Sequence, residues 1–331
     1  MPEAKENFRA AETDLRDLVP NHSFDLELLK NEKNFARKER IEKLLALSEA
    51  QGDGEIIEKT EEILGDKKAL LDLQETLSLP DCQAKCSLLA VLAEHHDIHR
   101  LQKSSVLDVF ALLRDEKTKQ VSSPMGYVHL TFGQYYNCPQ ELFIKTREFI
   151  SEKQGHGLGL GLEYKIENFC REHNIWDIYN FSNSSSAGIF GHSKFIGGYV
   201  WARMGYGFSL TEYKDDILDT WRKDLSEFAN NKNIDIVSDL EKADRPFEIS
   251  QIMGLDQDKH IVPVGKMFLM SEMSWYGHRD LRYDSQSTAD FVDYLKEKQR
   301  ADLIKDFITE LAKANRPDLI KKFFSDFMLA P

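Results

Sequence analysis

The chain has 331 residues, 41% of them hydrophobic, which is enough for two or three globular domains with proper cores. Its formal net charge of −13 argues against general nucleic-acid binding, which needs a basic face that displaces counterions. The sequence has no apolar run of about 18 residues, and its first residues lack the pattern of a signal peptide. We therefore expect no membrane span and a cytoplasmic location.

The first third of the chain is rich in leucine, glutamate, lysine and alanine. Between residues 25 and 116, apolar clusters recur between breaks at 51–54, 65–66 and 79–81, and each break contains glycine or proline. Glycine and proline at such positions are signals that end one helix and start the next. The pattern predicts an all-α domain over residues 1–120.

Two pairs of potential metal ligands lie in this segment. Cys82 and Cys86 are four residues apart, and so are His95 and His99, which is the spacing of one helical turn. Neither pair has a third ligand at a suitable spacing, and the H-E-x-x-H order of zinc proteases is absent. We expect no metal site, and we expect the four cysteines of the chain to be free thiols.

A β-containing domain is predicted over residues 121–285. Residues 121–126 have the composition of a linker, and residues 127–132 alternate as a strand does. Short apolar runs at 141–144 and 148–150 are compatible with a strand or a short helix. Further on, residues 275–280 are aromatic and charged, which favours the edge of a sheet and a turn over a chemical role.

The most informative segment is 154–161, Gln-Gly-His-Gly-Leu-Gly-Leu-Gly. Glycines let a backbone approach an anion closely, and successive N–H groups before a helix point at it. From residue 158, apolar residues recur with the period of an amphipathic helix that ends near residue 173. Residues 175–181 then alternate as a strand does, so the glycines lie in a strand–loop–helix–strand unit that is suited to phosphate binding.

Two common phosphate motifs do not fit these glycines. A nucleoside-triphosphate loop needs Lys-Ser or Lys-Thr after the last glycine, and a dinucleotide fingerprint needs a third glycine at a different offset. The pattern Gln154-x-x-Gly157-x-Gly159 resembles the coenzyme A loop of the GNAT superfamily of N-acetyltransferases. Residues 198–208 are similar to the helix and strand that close that fold, and 182–195 form a loop-like insert before them.

The resemblance covers residues 126–208 and implies an α+β fold with a GNAT-like mixed sheet and packed helices. It implies that acetyl-coenzyme A is the cofactor and that the loop binds its pyrophosphate through backbone amides. The implied cofactor-binding residues are Gln154, Gly155, His156, Gly157, Leu158, Gly159 and Leu160.

The implied activity is acetyl transfer to the amine of a small molecule or a protein. The family often has a tyrosine four residues before the Gly-aromatic pair, and its hydroxyl protonates the leaving thiolate. This chain has Trp201 there, so Tyr199 and Tyr206 are the candidate acids. Glu148 is the first candidate base, and His129 and Glu141 are further ones, because their segments should border the acyl site.

The end of the chain, residues 286–331, is predicted to form helices. Residues 300–307 and 316–323 are a near-repeat, and a pair of similar packed helices explains it better than a longer array. These helices and the N-terminal ones could carry a protein partner. A non-catalytic interaction protein on a GNAT-like scaffold is therefore one alternative to an acetyltransferase, and a toxin or effector that modifies a macromolecule is another.

Overall fold

A computed structural model of the protein describes residues 18–31, 35–78, 84–97, 102–115, 126–135, 138–151, 158–185, 195–209, 213–271 and 274–328. Helices and antiparallel strands are mixed along the chain, which confirms the predicted α+β class. The chain divides into two compact units. Among the described residues, unit 1 takes those within Met1–Leu142 and Glu148–His173, and unit 2 takes those within Phe143–Arg147 and Asn174–Pro331.

Unit 1 runs from four helices through antiparallel strands to one long helix. Its elements are α1 (Leu26–Lys30), α2 (Phe35–Ala50), α3 (Asp53–Leu64), α4 (Ala69–Leu77), β1 (Ala84–Asp97), β2 (Gln102–Asp115), β3 (Gly126–Tyr135), β4 (Cys138–Ser151) and α5 (Leu158–Glu172). The middle of β4, Phe143–Arg147, is counted with unit 2. The strand predicted at 127–132 is confirmed as part of β3, and the segment at 141–150 is a strand.

The prediction of an all-α domain over residues 1–120 is wrong, because β1 and β2 are strands. The run from Leu88 to Val91 is buried throughout. A strand that is covered on both faces has the same continuous apolar sequence as a buried helix, so its composition alone could not distinguish the two. β2 also pairs with β3, with Phe110 opposite His129, so the predicted boundary at residue 121 falls within unit 1.

Two side-chain amides cover the outer edge of β1. Asn21 donates to the carbonyl of Ala90 at 2.7 Å and accepts from its N–H at 2.6 Å. Gln51 does the same at Leu92, with distances of 2.7 and 2.9 Å. An uncovered edge strand exposes N–H and C=O groups that can pair with another chain, and these amides take the place of a neighbouring strand.

Helix α5 carries a buried row of charges along one face. Glu163, Glu167 and Arg171 are spaced four residues apart, and each is at most 5% exposed. Arg171 donates to Glu167 at 3.0 Å. On the same helix, burial and the neighbouring charge of Glu163 raise the pKa of the Cys170 thiol. Phe169 packs edge-on against Phe132 of β3, with ring centroids 6.0 Å apart.

Unit 2 begins with a strand and ends with three helices. Its elements are β5 (Ile175–Ser185), β6 (Phe195–Ile196), α6 (Gly197–Arg203), β7 (Gly207–Phe208), α7 (Lys214–Asn231), β8 (Asp235–Ile236), α8 (Pro246–Ile249), β9 (Gly254–Leu255), β10 (Ile261–Val262), α9 (Val264–Leu269), β11 (Ser274–Asp280), α10 (Gln286–Glu297), α11 (Ala301–Lys313) and α12 (Pro317–Met328). The predicted strand at 175–181 and the predicted helix and strand within 198–208 are confirmed. The predicted insert at 182–195 begins as strand, because β5 continues to Ser185.

Strand β11 lies between β5 and β7 and is antiparallel to both. Gly277 pairs with Asn180 on one side and with Phe208 on the other. The strand predicted within 275–280 is confirmed as β11, but its predicted position at an edge is wrong. One face of β11 is buried, with Trp275 packed edge-on against Phe208 at 5.7 Å. The other face is partly exposed.

The near-repeat at the C-terminus is confirmed as two helices, α11 and α12. The backbone has the same conformation just before each of them. Gln299 and Asn315 have φ angles of +53° and +54°, and the next residue, Arg300 or Arg316, donates its N–H back into the preceding helix. This is the Schellman arrangement that ends a helix with one left-handed residue. Each arginine also forms an ion pair with the aspartate two residues later.

Some predictions concern residues whose surroundings are only partly described. His95 lies in a strand, so the prediction that one helical turn separates His95 from His99 is wrong. His99 itself lies outside the described residues. Cys86 lies in β1 and, with Cys170, is a buried free thiol as predicted. Within the described parts of the chain, no helix is both long and apolar enough to cross a bilayer.

Candidate functional site

The predicted phosphate loop is described only at its C-terminal end. Gln154, Gly155, His156 and Gly157 lie outside the described residues, as does most of the segment between β4 and α5. Leu158, Gly159 and Leu160 form the first turn of α5. The order of elements is therefore strand β4, a short segment that contains the glycines, helix α5 and strand β5, as the sequence predicts.

The candidate bases lie on strands. Glu148 and Glu141 are residues of β4, and their side chains lie outside the described part of the structure. His129 on β3 is 4% exposed, and its Nε2 lies 3.7 Å from the carboxylate of Asp108 on β2. The hydroxyl of Thr131 donates to the same carboxylate at 2.5 Å. Because His129 is buried and its ring packs against that of Phe110 on the neighbouring strand, with centroids 4.6 Å apart, an acceptor amine cannot reach it in this conformation.

Tyr199 is the more accessible of the two candidate acids. It lies on α6 and is half-buried, and the ammonium of Lys266 on α9 lies 5.1 Å from the centroid of its ring. Burial raises the pKa of the Tyr199 hydroxyl, and the charge of Glu297 raises it further. The hydroxyl therefore carries its proton at neutral pH, which a hydrogen-bond donor or an acid requires.

Tyr206 is buried, with 1% of its surface exposed. Its ring meets that of Trp201 edge-on at 5.1 Å, and the guanidinium of Arg279 lies 5.8 Å from its centroid. These contacts make Tyr206 part of the core of unit 2. Its hydroxyl cannot reach a thiolate unless this core opens.

A cluster behind Tyr199 was not foreseen from the sequence. Arg203, one helical turn further along α6, forms an ion pair with Glu297 and lies over the rings of Phe247 and Tyr294, at 4.6 and 5.9 Å. Burial, with smaller effects from Tyr199 and Glu297, raises the pKa of Tyr294 to about 12. The members come from α6, α8 and α10, and no local spacing in the sequence links these three helices.

A small group of potential cation ligands lies in the turn between β9 and β10. Ligand atoms of Asp256, Asp258 and His260 lie within 4.8 Å of one another. The carboxylate of Asp256 accepts the backbone N–H groups of Asp258 and His260, at 2.9 and 2.8 Å. These two bonds explain the grouping as part of a tight turn.

Comparisons with known proteins leave the site to be interpreted from its own geometry. No protein-family model matches the chain, and no curated protein matches it.

Proposed function

We propose that this chain binds acetyl-coenzyme A at residues 154–160 and transfers the acetyl group to an amine. The observation that carries the proposal is the start of α5 at Leu158, directly after the glycines and seven residues after the end of β4 at Ser151. A helix that begins there points its free N–H groups and its positive end at the segment that holds Gly155 and Gly157. This is the local context that a pyrophosphate needs.

The confirmed order of elements gives further support. The helix α6 and the strand β7 occupy the residues where the resemblance to the GNAT superfamily requires a closing helix and strand. On α6, Tyr199 offers a protonated, half-buried hydroxyl that could protonate the leaving thiolate of coenzyme A. Tyr206 is the weaker candidate because it is buried.

Thermal unfolding with and without acetyl-coenzyme A tests binding. At a hundred times its dissociation constant, the ligand should stabilise the fold by about 2.7 kcal/mol and raise the melting temperature accordingly. Gly157→Val should abolish this shift because a β-branched side chain blocks the approach of the anion. Gly54→Val is the control, since a Cβ at Gly54 would meet no atom within 4 Å in the part of the chain that the structure describes. An unchanged melting temperature at millimolar acetyl-coenzyme A would contradict the proposal.

Release of the coenzyme A thiol in the presence of amines tests the transfer step. Tyr199→Phe should lower turnover by about 10²–10⁴-fold without changing the affinity for the coenzyme, and Tyr206→Phe should have a smaller effect. A thiol-reactive dye reports this release once the signal that the protein's own cysteines give without the coenzyme has been subtracted. Equal turnover in the parent and in Tyr199→Phe would remove Tyr199 from the mechanism.

One observation favours the second candidate, a non-catalytic binding protein. Trp201 has no acidic hydroxyl, and the hydroxyl of Tyr206 is enclosed in the core. A protein that binds acetyl-coenzyme A but releases no thiol with any amine would fit this alternative. The two assays therefore separate an enzyme, a coenzyme-binding scaffold and a protein that binds no coenzyme.

A further inference from the structure

The half-exposed face of the sheet in unit 2 carries a set of polar and aromatic side chains that the proposed function does not yet use. Residues of β11 alternate between a buried face and this open face, because successive side chains of a strand point to opposite sides. We call the open-face residues the amine patch; they are Asp177, Tyr179, Gly207, Tyr276 and His278.

His278 and Asp177 form a hydrogen-bonded pair at the centre of the amine patch. The distance between His278 Nε2 and Asp177 Oδ1 is 2.7 Å, and the two side chains are 28% and 17% exposed. A carboxylate can only accept, so Nε2 carries the proton and Nδ1 keeps its lone pair. This is the arrangement in which a carboxylate orients a histidine as a base.

The charged group next to this pair has a partner of its own, so Asp177 is the carboxylate that bonds to His278. Asp280 lies directly opposite Asp177 in the strand register, but its carboxylate is bonded to Arg282, with a 3.1 Å contact to the guanidinium and a 2.9 Å bond from the backbone N–H. β7 contributes no charge here, because Gly207 is the residue opposite His278. The amine patch therefore combines one oriented imidazole with local acidity.

Free space lies beside the imidazole on the side of β7. The ring of Tyr179 flanks His278 on the β5 side, with centroids 4.8 Å apart. On the other side, the one atom of the described residues within 4 Å of a Cβ added to Gly207 is the carbonyl oxygen of His278, at 3.8 Å. Tyr276, two residues earlier on the same face, is 47% exposed. Exposed aromatic rings next to carboxylates attract the ammonium and the ring of an aromatic amine.

We propose that the amine patch binds a small aromatic primary amine over Gly207 and that His278 is the general base that deprotonates it. The base assignment rests on the proposed acetyl transfer. In that step the amine nitrogen attacks the thioester carbonyl carbon, the C–S bond breaks, and its electron pair leaves on sulfur. The proton of the attacking nitrogen passes to Nδ1 of His278, and the thiolate takes a proton from Tyr199 or from water.

Binding is tested first without the coenzyme, using phenethylamine as the probe. Imidazole ¹H–¹⁵N spectra, assigned with His278→Gln, should show the Nδ1 and Nε2 signals of His278 shifting as phenethylamine is added. Gly207→Leu should abolish the shift by filling the space beside the ring. Gly52→Leu is the control, because a Cβ at Gly52 would come within 4 Å of none of the atoms that the structure describes. Unperturbed His278 signals at millimolar phenethylamine would overturn the amine patch, whether or not acetyl-coenzyme A binds.

The base role is tested by turnover with phenethylamine. His278→Gln should lower kcat by about 10²–10⁴-fold and leave the acetyl-coenzyme A shift in melting temperature intact. Asp177→Asn should lower kcat about 10–100-fold and shift the imidazole ¹⁵N signals of His278, because Nε2 loses its charged acceptor. Full turnover in His278→Gln would overturn the base assignment alone. A parent protein that binds phenethylamine but no acetyl-coenzyme A would instead overturn the proposed acetyl transfer and, with it, the base role.

Discussion

Gly205 lies against the backbone of Ser287 so closely that a Cβ on Gly205 would be 2.3 Å from the carbonyl oxygen of Ser287. Gly205 also has a φ of +86°, which side chains strongly disfavour. We therefore expect Gly205→Ala to lower the free energy of unfolding by about 3 kcal/mol in urea denaturation. Gly207→Ala is the matched control and should change it by less than about 1 kcal/mol, because its nearest contact is 3.8 Å away. Equal effects of the two substitutions would contradict this account.

The amide of Asn21 should stabilise unit 1 by satisfying both backbone groups of Ala90 on the strand edge. Asn21→Ala leaves these groups without their partner, and we expect a loss of about 1–3 kcal/mol in the free energy of unfolding. Asn21→Asp keeps an acceptor for the N–H but turns a second acceptor towards the carbonyl, so it should be no better than alanine. Asn31→Ala serves as the control, since Asn31 is exposed and its amide donates to the carbonyl of Glu27, one helical turn earlier. Urea denaturation measures all three variants.

Substitution by glycine should change the melting temperature differently at the two equivalent helix ends that precede α11 and α12. Gln299 adopts a left-handed conformation that costs most side chains about 1 kcal/mol or more, so Gln299→Gly should raise the melting temperature. Asparagine tolerates this conformation better, so Asn315→Gly should leave the melting temperature nearly unchanged. A drop in melting temperature for Gln299→Gly would show that its side chain makes contacts that outweigh the backbone strain.

Tyr294 should make the protein less stable at high pH. Its pKa is about 12 in the folded chain, against 10 for an ordinary tyrosine. Between these pH values the folded state holds a proton that the unfolded chain has released, so the free energy of unfolding decreases as the pH rises. The decrease from Tyr294 should reach about 2 kcal/mol by pH 12. Tyr294→Phe should lack this part of the pH dependence, and denaturation curves of both proteins from pH 9 to 12 measure the difference.

The sequence predicted the elements whose apolar residues recur with the period of a helix or a strand. Helix α5 shows an apolar stripe on one face, and β3 and β5 alternate, so all three were placed correctly. β1 and β2 were not, because apolar residues follow one another without a break in stretches such as Leu88–Val91, so the alternation that identifies a strand is lost. The central position of β11 was missed because its pairing with β5 and with β7 joins residues that are distant in sequence.

For the candidate site, the sequence identified single residues but not the residues that pack around them in the fold. It identified Tyr199 and Tyr206 as candidate acids, yet the burial that separates them depends on Trp201 and on Arg279, which comes from a strand about seventy residues later. The pair of Asp177 and His278 was missed for the same reason. The alternation of residues 274–280 was the one local signal for it, since it places His278 on a different face from Trp275 and Arg279.

The buried charges of α5 have a mechanical consequence for the segment that precedes it. A shift of this helix by one residue would rotate Glu167 and Arg171 by about 100° and separate them from the groups around them. The pair itself lies within the helix and would move with it, but each charge would leave the buried position in which it is now held, and an unmatched buried charge costs several kcal/mol. The buried charges therefore disfavour other rotational settings of α5 within unit 1. The first turn of α5, at Leu158, therefore keeps its position. A ligand that binds at the preceding glycines would meet a helix N-terminus that is already in place.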